Sequence, residues 1–354
     1  MAALYDPDLK LKVPDFERAV LLARAARTPF QALLRSEVNA TSNPFYWPVE
    51  TPQDSAVTGY KDGQKHTPSK SSQPDQLLGC AEEVREDYGL GWQAQQVNTY
   101  TRHNTPSYQK KRAMERLLIQ REKLLLSAQN MVLPADNTAP LARGAVNWLM
   151  PKPQAGDDPQ GSSETIRVPD KYRTAATSYF DGYLDALDAA TFEDLVESIA
   201  EYKRADVDLT FFCGNKIKRK MSGWLSKSDA DSGAMPVTVQ KDGKPFTYNQ
   251  TVDVFKFDSG TVRAIQNYYI AWTLSTGSPI VSEKGAKTSL AGLLIDPALW
   301  CIRRLAAMEW VQLADEGQGS SGFYREMVGL ECRNPAANGL VLPAGATTPA
   351  GNGG

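Results

Sequence analysis

The chain has 354 residues, 42% of them hydrophobic and 23% charged, with 39 lysines and arginines against 41 aspartates and glutamates. A formal charge of -2 excludes the global basic field that draws nucleic acid, so any DNA contact has to be local. A mean hydropathy of -0.41 and the lack of a long apolar run exclude a helical membrane protein, because the early stretch "AVLLARAA" is broken by Arg24.

That length gives room for two or three compact units. Cys80, Cys213, Cys301 and Cys332 are far apart with no C-x-x-C pair, and the only histidines are His66 and His103. The inventory argues against structural zinc and for a reducing cytosol. The acidic start "MAALYDPD" is not a signal peptide.

Residues 1–43 read as an arm with one amphipathic stretch, in which Phe16, Val20 and Ala23 follow helical spacing and a second piece restarts at Thr28-Pro29-Phe30. One short helix cannot bury itself, so its apolar face needs another part of the chain or another chain. Residues 44–104 read as two extended pieces, "FYWPVET" with Trp47 and "QAQQVNTYTRH", around a polar insertion. The insertion carries Lys61, Lys65 and Lys70 and the acid-rich "CAEEVREDYG". A connection of that length is uncommon in a compact domain and usually functional, so it is expected to project from the body.

The clearest helix is "TPSYQKKRAMERLLIQREKLLLSAQN", with Thr105 as cap and Pro106 at the first helical position. Met114, Leu117, Leu118, Leu125 and Ala128 trace one apolar face, and Lys111, Arg112, Glu115, Arg116, Glu122 and Lys123 cover the rest. The spacing predicts packing on one side only.

After the loop "QAGDDPQGSSET", a helix follows with Phe192, Leu195, Val196, Ile199 and Tyr202 on one face, then a strand through Val207, Leu209, Phe211 and Cys213. Asn215 is expected to cap a further helix buried through Ile217, Met221, Trp224 and Leu225. This helix–strand–helix block starts an α/β domain. "TVDVFKFDSGTVRAIQ" reads as a hairpin turning at Asp258-Ser259-Gly260, whose glycine can take positive φ. "LAGLLIDP" and "FYREMVGLECRN" are further strands, and "GLVLPAGATTPAGNGG" is a low-complexity tail.

Several stretches imitate active sites. Gly317-x-Gly319-x-x-Gly322 matches the dinucleotide pattern, yet a strand follows it and Leu342 stands near the place of the acidic residue, so a flexible inter-strand loop is expected. In "SEKGAKTS", Gly285 and Lys287 are separated by Ala286, which breaks a P-loop. Glu82, Glu83, Glu86 and Asp87 read as a solvated helix face rather than metal ligands. The cluster Lys216, Lys218, Arg219 and Lys220 reads as a basic helix face pairing with an acidic neighbour. His66 and His103 lie among polar loop residues with no catalytic companions.

Five segments in order resemble the major capsid proteins of tailed phages with the Hong Kong 97 fold, in the subgroup related to the phage SU-ten head protein. They are "RTPFQALL", "QVNTYTRHNTPS" with its following helix, "LTFFCGNKIKRKMSGW", "VDVFKFDSGTVRAI" and "LLIDP…GLECRNPAANG". Phe255 and Ser259 stand where that family has a tyrosine and a hydrophobic residue.

The resemblance implies an α+β capsid fold. Its expected parts are an N-terminal arm (1–43), an extended β-hairpin loop (44–104), a long spine helix with a peripheral domain (105–183), an α/β axial domain (184–292), closing strands shared by both domains (293–340) and a tail (341–354). It implies a homo-oligomer of hexamers and pentamers closing into an icosahedral shell around double-stranded DNA. Phe16, Val20, Phe30, Trp47, Lys61, Lys65, Lys70, Arg112, Glu115, Arg116 and Glu122 are then the candidate assembly residues. The expected partners are a separate scaffolding protein, a portal, a decoration protein and non-specifically contacted packaged DNA. No cofactor, metal, catalytic residue or membrane is expected, and the virion, assembled in the host bacterial cytoplasm, is the expected location. An encapsulin-like compartment shell is the alternative with the same fold, and a nucleotide-dependent enzyme is the alternative from another class.

Overall fold

A computed structural model describes residues 28–36, 39–50, 61–63, 65, 73–96, 105–153, 158, 160–161, 163–224, 254–270, 291–313 and 319–342. The first elements are α1 (Pro29–Leu33), β1 (Arg35–Ser36), β2 (Phe45–Val49), β3 (Asp75–Gly79), β4 (Glu82–Gly91), α2 (Trp92–Gln96), α3 (Pro106–Leu125) and α4 (Ala145–Trp148). There follow β5 (Tyr179–Phe180), α5 (Ala189–Lys203), β6 (Val207–Cys213), α6 (Asn215–Trp224), β7 (Val254–Phe257) and β8 (Gly260–Gln266). The last are β9 (Gly292–Ile295), β10 (Trp300–Gln312), β11 (Gly319–Cys332) and β12 (Gly339–Val341).

The chain divides into two compact units. Of the described residues, the smaller holds those within 85–119 and 309–325, and the larger those within 28–84, 120–308 and 326–342. The division falls within β4, α3, β10 and β11.

In the larger unit a six-stranded mixed sheet runs in the order β5-β12-β9-β6-β8-β7. Central β6 is flanked by β8, parallel, and β9, antiparallel. Its apolar residues therefore face cores on both sides, and Leu209, Phe211, Phe212 and Cys213 are all buried. Helices α5 and α6 cover one face through Phe192, Leu195, Val196, Ile199, Ile217 and Met221. Each such side chain contributes about 1.5–3 kcal/mol when fully buried. Helix α5 starts where the Asp188 carboxylate accepts from the Thr191 N–H at 2.8 Å, and it ends at Arg204 in the left-handed region.

The β7–β8 hairpin turns as the sequence indicates. Gly260 has φ +146, and a Cβ there would lie 2.1 Å from the Val207 carbonyl oxygen. Only glycine lets β8 start so close to β6.

A second sheet has the order β1-β10-β11-β4, with β1 parallel to β10. In the smaller unit, Tyr88 stacks on Trp310 with centroids 4.9 Å apart and Tyr324 meets the same indole edge-on at 4.8 Å. Lys110 lies 4.5 Å above that ring.

The structure corrects several expectations. The acidic residues of "CAEEVREDYG" lie on strand β4, where Glu83 and Asp87 are exposed while Val84 and Tyr88 face inward. The period is therefore two rather than that of a helix face. "WQAQQ" is a short helix, not an extended arm. Met114 and Tyr202 are exposed rather than on buried faces. Asn215 is the first residue of α6, and the Gly214 carbonyl accepts the first intrahelical bond, from the Lys218 N–H; Leu225 lies outside the described residues. The expected tail begins inside the core: β12 pairs with β9 and β5, and Leu340, Val341 and Leu342 are buried.

Candidate assembly surfaces

The short helix α1 offers its first N–H groups to a distant carboxylate. Glu122 accepts from the Phe30 N–H at 2.9 Å, the Gln31 N–H at 3.1 Å and the Asn267 side-chain amide at 2.9 Å. Phe30 is fully buried, edge-on to Phe212 and Trp300. Burial pushes the Glu122 carboxyl above its ordinary range, and the Phe30, Gln31 and Asn267 donors oppose that rise. Both Phe30 and Glu122, expected at intersubunit contacts, are therefore core residues of their own chain. The reason is that the N–H groups of a helix start need acceptors once buried.

Trp47 is corrected in the same way. The β2–β3 pair buries Phe45, Trp47 and Leu77, and Trp47 stands between Phe45 at 5.8 Å and Trp148 at 5.7 Å. The end of the pair is held by Tyr172, whose hydroxyl donates to the Val49 carbonyl at 3.0 Å and also meets Asp75 at 2.9 Å. Lys171 pairs with the same carboxylate, and its hydrogen bond, then that of Tyr172, holds Asp75 below the ordinary range. These residues of the expected projecting loop belong to the packed body.

Toward the start of α3 the charged residues Arg112, Glu115 and Arg116 keep contact with solvent, whereas Arg121 and Glu122 further along are buried. Arg112 reaches Glu115 at 2.7 Å and the Tyr108 hydroxyl at 2.9 Å, all on the same helix. Arg116 binds Glu86 at 2.5 Å and the Asp87 carbonyl at 3.1 Å. A solvent-exposed pair such as Arg116–Glu86 contributes under about 1 kcal/mol, which leaves it available to a neighbour, whereas Arg112 and Glu115 are only partly exposed. Lys61 and Lys65 are exposed. Phe16, Val20, Lys70, His66, His103, Gly285 and Lys287 lie outside the described residues.

Two buried carboxylates on β11 escaped the sequence reading. Glu326 receives two hydrogen bonds from Arg121, at 2.8 and 2.9 Å, and an ion pair from Arg304 at 3.0 Å. Glu331 sits between Arg303 and Arg333. The signal was present as acids inside an apolar strand pattern, "REMVGLECR", since a buried carboxylate demands a cationic partner. Near α4, Asp158 forms a two-pronged pair with Arg173 at 2.6 and 2.8 Å. Burial would raise Asp158, but the Arg173 hydrogen bonds and charge and the Gln160 N–H hold it below the ordinary range.

Gly319 opens β11 at φ +126, where a Cβ would lie 2.2 Å from the Leu90 carbonyl oxygen, and Gly322 lies over the Trp310 ring. These two glycines serve close strand packing rather than loop flexibility, and Gly317 lies outside the described residues. The four cysteines are buried and none is in a disulfide, and burial pushes Cys80 up to about 11 and Cys213 up to about 12. Among the described residues no group of acids, histidines or cysteines could hold a metal, and no helix is long and apolar enough to cross a membrane.

No curated protein matches the chain in sequence. Among solved structures it is similar to the capsid of cyanophage P-SCSP1u, with TM-score 0.56, 13% identity, and 95% of this chain and 94% of that chain covered. It is also similar to a structure from Mycobacterium phage Bobi, with TM-score 0.54, 11% identity and coverage of 94% and 96%. A third is the capsid of a native GTA particle, with TM-score 0.56, 10% identity and coverage of 94% and 96%. These likenesses give the fold, a mixed helix-and-sheet capsid fold of the Hong Kong 97 kind. The profile of the SU10 major capsid protein family matches residues 5–346, and the chain belongs to that family of phage capsid proteins.

Proposed function

We propose that this chain assembles through rings of six and five copies into the icosahedral head of a tailed phage and encloses its double-stranded DNA. The observation that carries the reading is the family match over residues 5–346. Ring contacts of this kind are heterologous, so each copy presents two unlike surfaces that complement each other. The charges of α3 that reach solvent (Arg112, Glu115, Arg116) and the lysines Lys61, Lys65 and Lys70 serve contacts between copies in this reading, together with Phe16 and Val20 of the arm. A separate scaffolding protein, a portal and a decoration protein are its partners. With a formal charge of -2 per copy, the shell confines DNA without reading its sequence.

The test is nuclease treatment of particles purified from bacteria that express the chain with its neighbouring phage genes. Protected double-stranded DNA of uniform length is the expected content. Particles that hold a specific protein cargo and no DNA would replace this reading with a compartment shell.

A further inference from the structure

The two edges of the six-stranded sheet differ in charge: acids gather at one, and exposed cations stand beside a separate acidic cleft at the other. At the β5 edge lies a cleft of about 510 Å³ with Tyr179, Phe180 and Leu195 in its wall. Asp194, Glu197 and Glu201, successive exposed acids on the outer side of α5, also line it. At the opposite edge, β7 exposes Val254 and Lys256, and β8 exposes Arg263, the register partner of Val254. Helix α6 packs toward this edge, with Trp224 against Phe255 of β7 at 6.2 Å, and it exposes Lys216 and Arg219. The carboxylates of Asp206, Asp208 and Asp258 collect instead around a smaller cleft at the start of β6 and β8. Lys256 lines that cleft as well, so the cations that stand apart from those acids are Lys216, Arg219 and Arg263.

Edge strands of one sheet lie on opposite sides of their domain by topology. A copy that meets its neighbour head to tail uses those two sides, and the surfaces must complement each other in shape and sign. Here one side offers a partly apolar cleft rimmed by carboxylates, and the other a ridge of α6 and β7 with exposed cations and an exposed valine. Resting on the ring-forming reading above, we propose that the acidic β5–α5 cleft of one copy receives the basic α6–β7 ridge of the next copy in the ring. Asp194, Glu197 and Glu201 face Lys216 and Arg219 across that contact, and Val254 reaches toward the aromatic wall.

The experiment reverses charge on one flank at a time and then on both. Asp194→Lys/Glu197→Lys/Glu201→Lys and Lys216→Glu/Arg219→Glu each place like charges across the contact. Each is expected to lower the yield of rings and shells, counted by electron microscopy, by roughly tenfold or more while far-ultraviolet circular dichroism stays unchanged. The chain carrying all five substitutions restores opposite signs and is expected to recover assembly. Normal shells from both single-flank variants, or failure of the five-substitution chain to recover while still folded, would overturn the contact and leave the capsid reading standing. Absence of rings and shells from the unmutated chain in the same preparation would strike the ring-forming reading itself.

Discussion

The carboxylate of Glu122 accepts the backbone N–H of Phe30 at 2.9 Å across 92 positions of sequence. Thr28, the residue before α1, makes no side-chain cap, so an acid on α3 takes that part. Beside it, Arg121 binds both Gln31 and Glu326 and so ties α1 and β11 to the same turn of α3.

Glu122→Ala should destabilise the folded chain by on the order of 3 kcal/mol, since it leaves two N–H groups and an amide buried without acceptors. Glu122→Gln, which keeps one acceptor oxygen, should lose less. Because burial raises the folded-state value, the stability this group contributes is full below about pH 4 and declines as pH rises through the raised value. Thermal unfolding of wild type and Glu122→Gln across acidic pH checks this, and the glutamine variant should lack that part of the slope.

Truncation should show a sharp boundary at residue 28. Removing residues 1–27 is expected to leave the body folded. Removing 1–35 also takes Phe30 and Leu34 out of the core, together with the partners of Glu122. The longer deletion should lower the melting temperature of the isolated chain by well over about 5 °C. Equal melting temperatures for the two truncations would contradict the placement of α1.

Asp158→Asn should cost about 3–5 kcal/mol at neutral pH, because the Arg173 side chain, 2% exposed, loses its charge partner. The folded-state value of Asp158 is depressed, so its contribution is present above the ordinary aspartate value near 4 and is lost as pH falls through the lower one. Wild type and variant should converge in acid. A difference that stays constant from neutral to acid pH would refute the charge pairing.

Gly260→Ala should lower stability by roughly 1–3 kcal/mol through its left-handed φ, and by more where the new Cβ meets the Val207 carbonyl. Gly89→Ala, where a Cβ meets nothing within 4 Å, is the matched control and should change little.

Elements with strong local signals were legible: α5 by its 3.6 spacing, β6 by alternation, and the β7–β8 turn by Asp258-Ser259-Gly260. What escaped depends on partners remote in sequence. Leu340 and Val341 look like the start of a glycine-rich tail, yet β9 and β5 on either side make them core. Strand β10 mixes charges such as Arg303 and Arg304 with apolar residues, and only the glutamates of neighbouring β11 explain why those arginines belong there. Phe30 and Trp47, assembly candidates through the family resemblance, are core because the chain folds back on them, Phe30 against Phe212 and Trp47 against Trp148.

Cryo-electron microscopy of particles formed by the purified chain tests the central claim most directly. Closed shells with rings of five copies at the five-fold vertices and rings of six between them, the six-stranded sheets arranged edge toward edge within each ring, are the expected result. Monomers or irregular aggregates under all conditions that keep the chain folded, with or without a scaffolding partner, would contradict it.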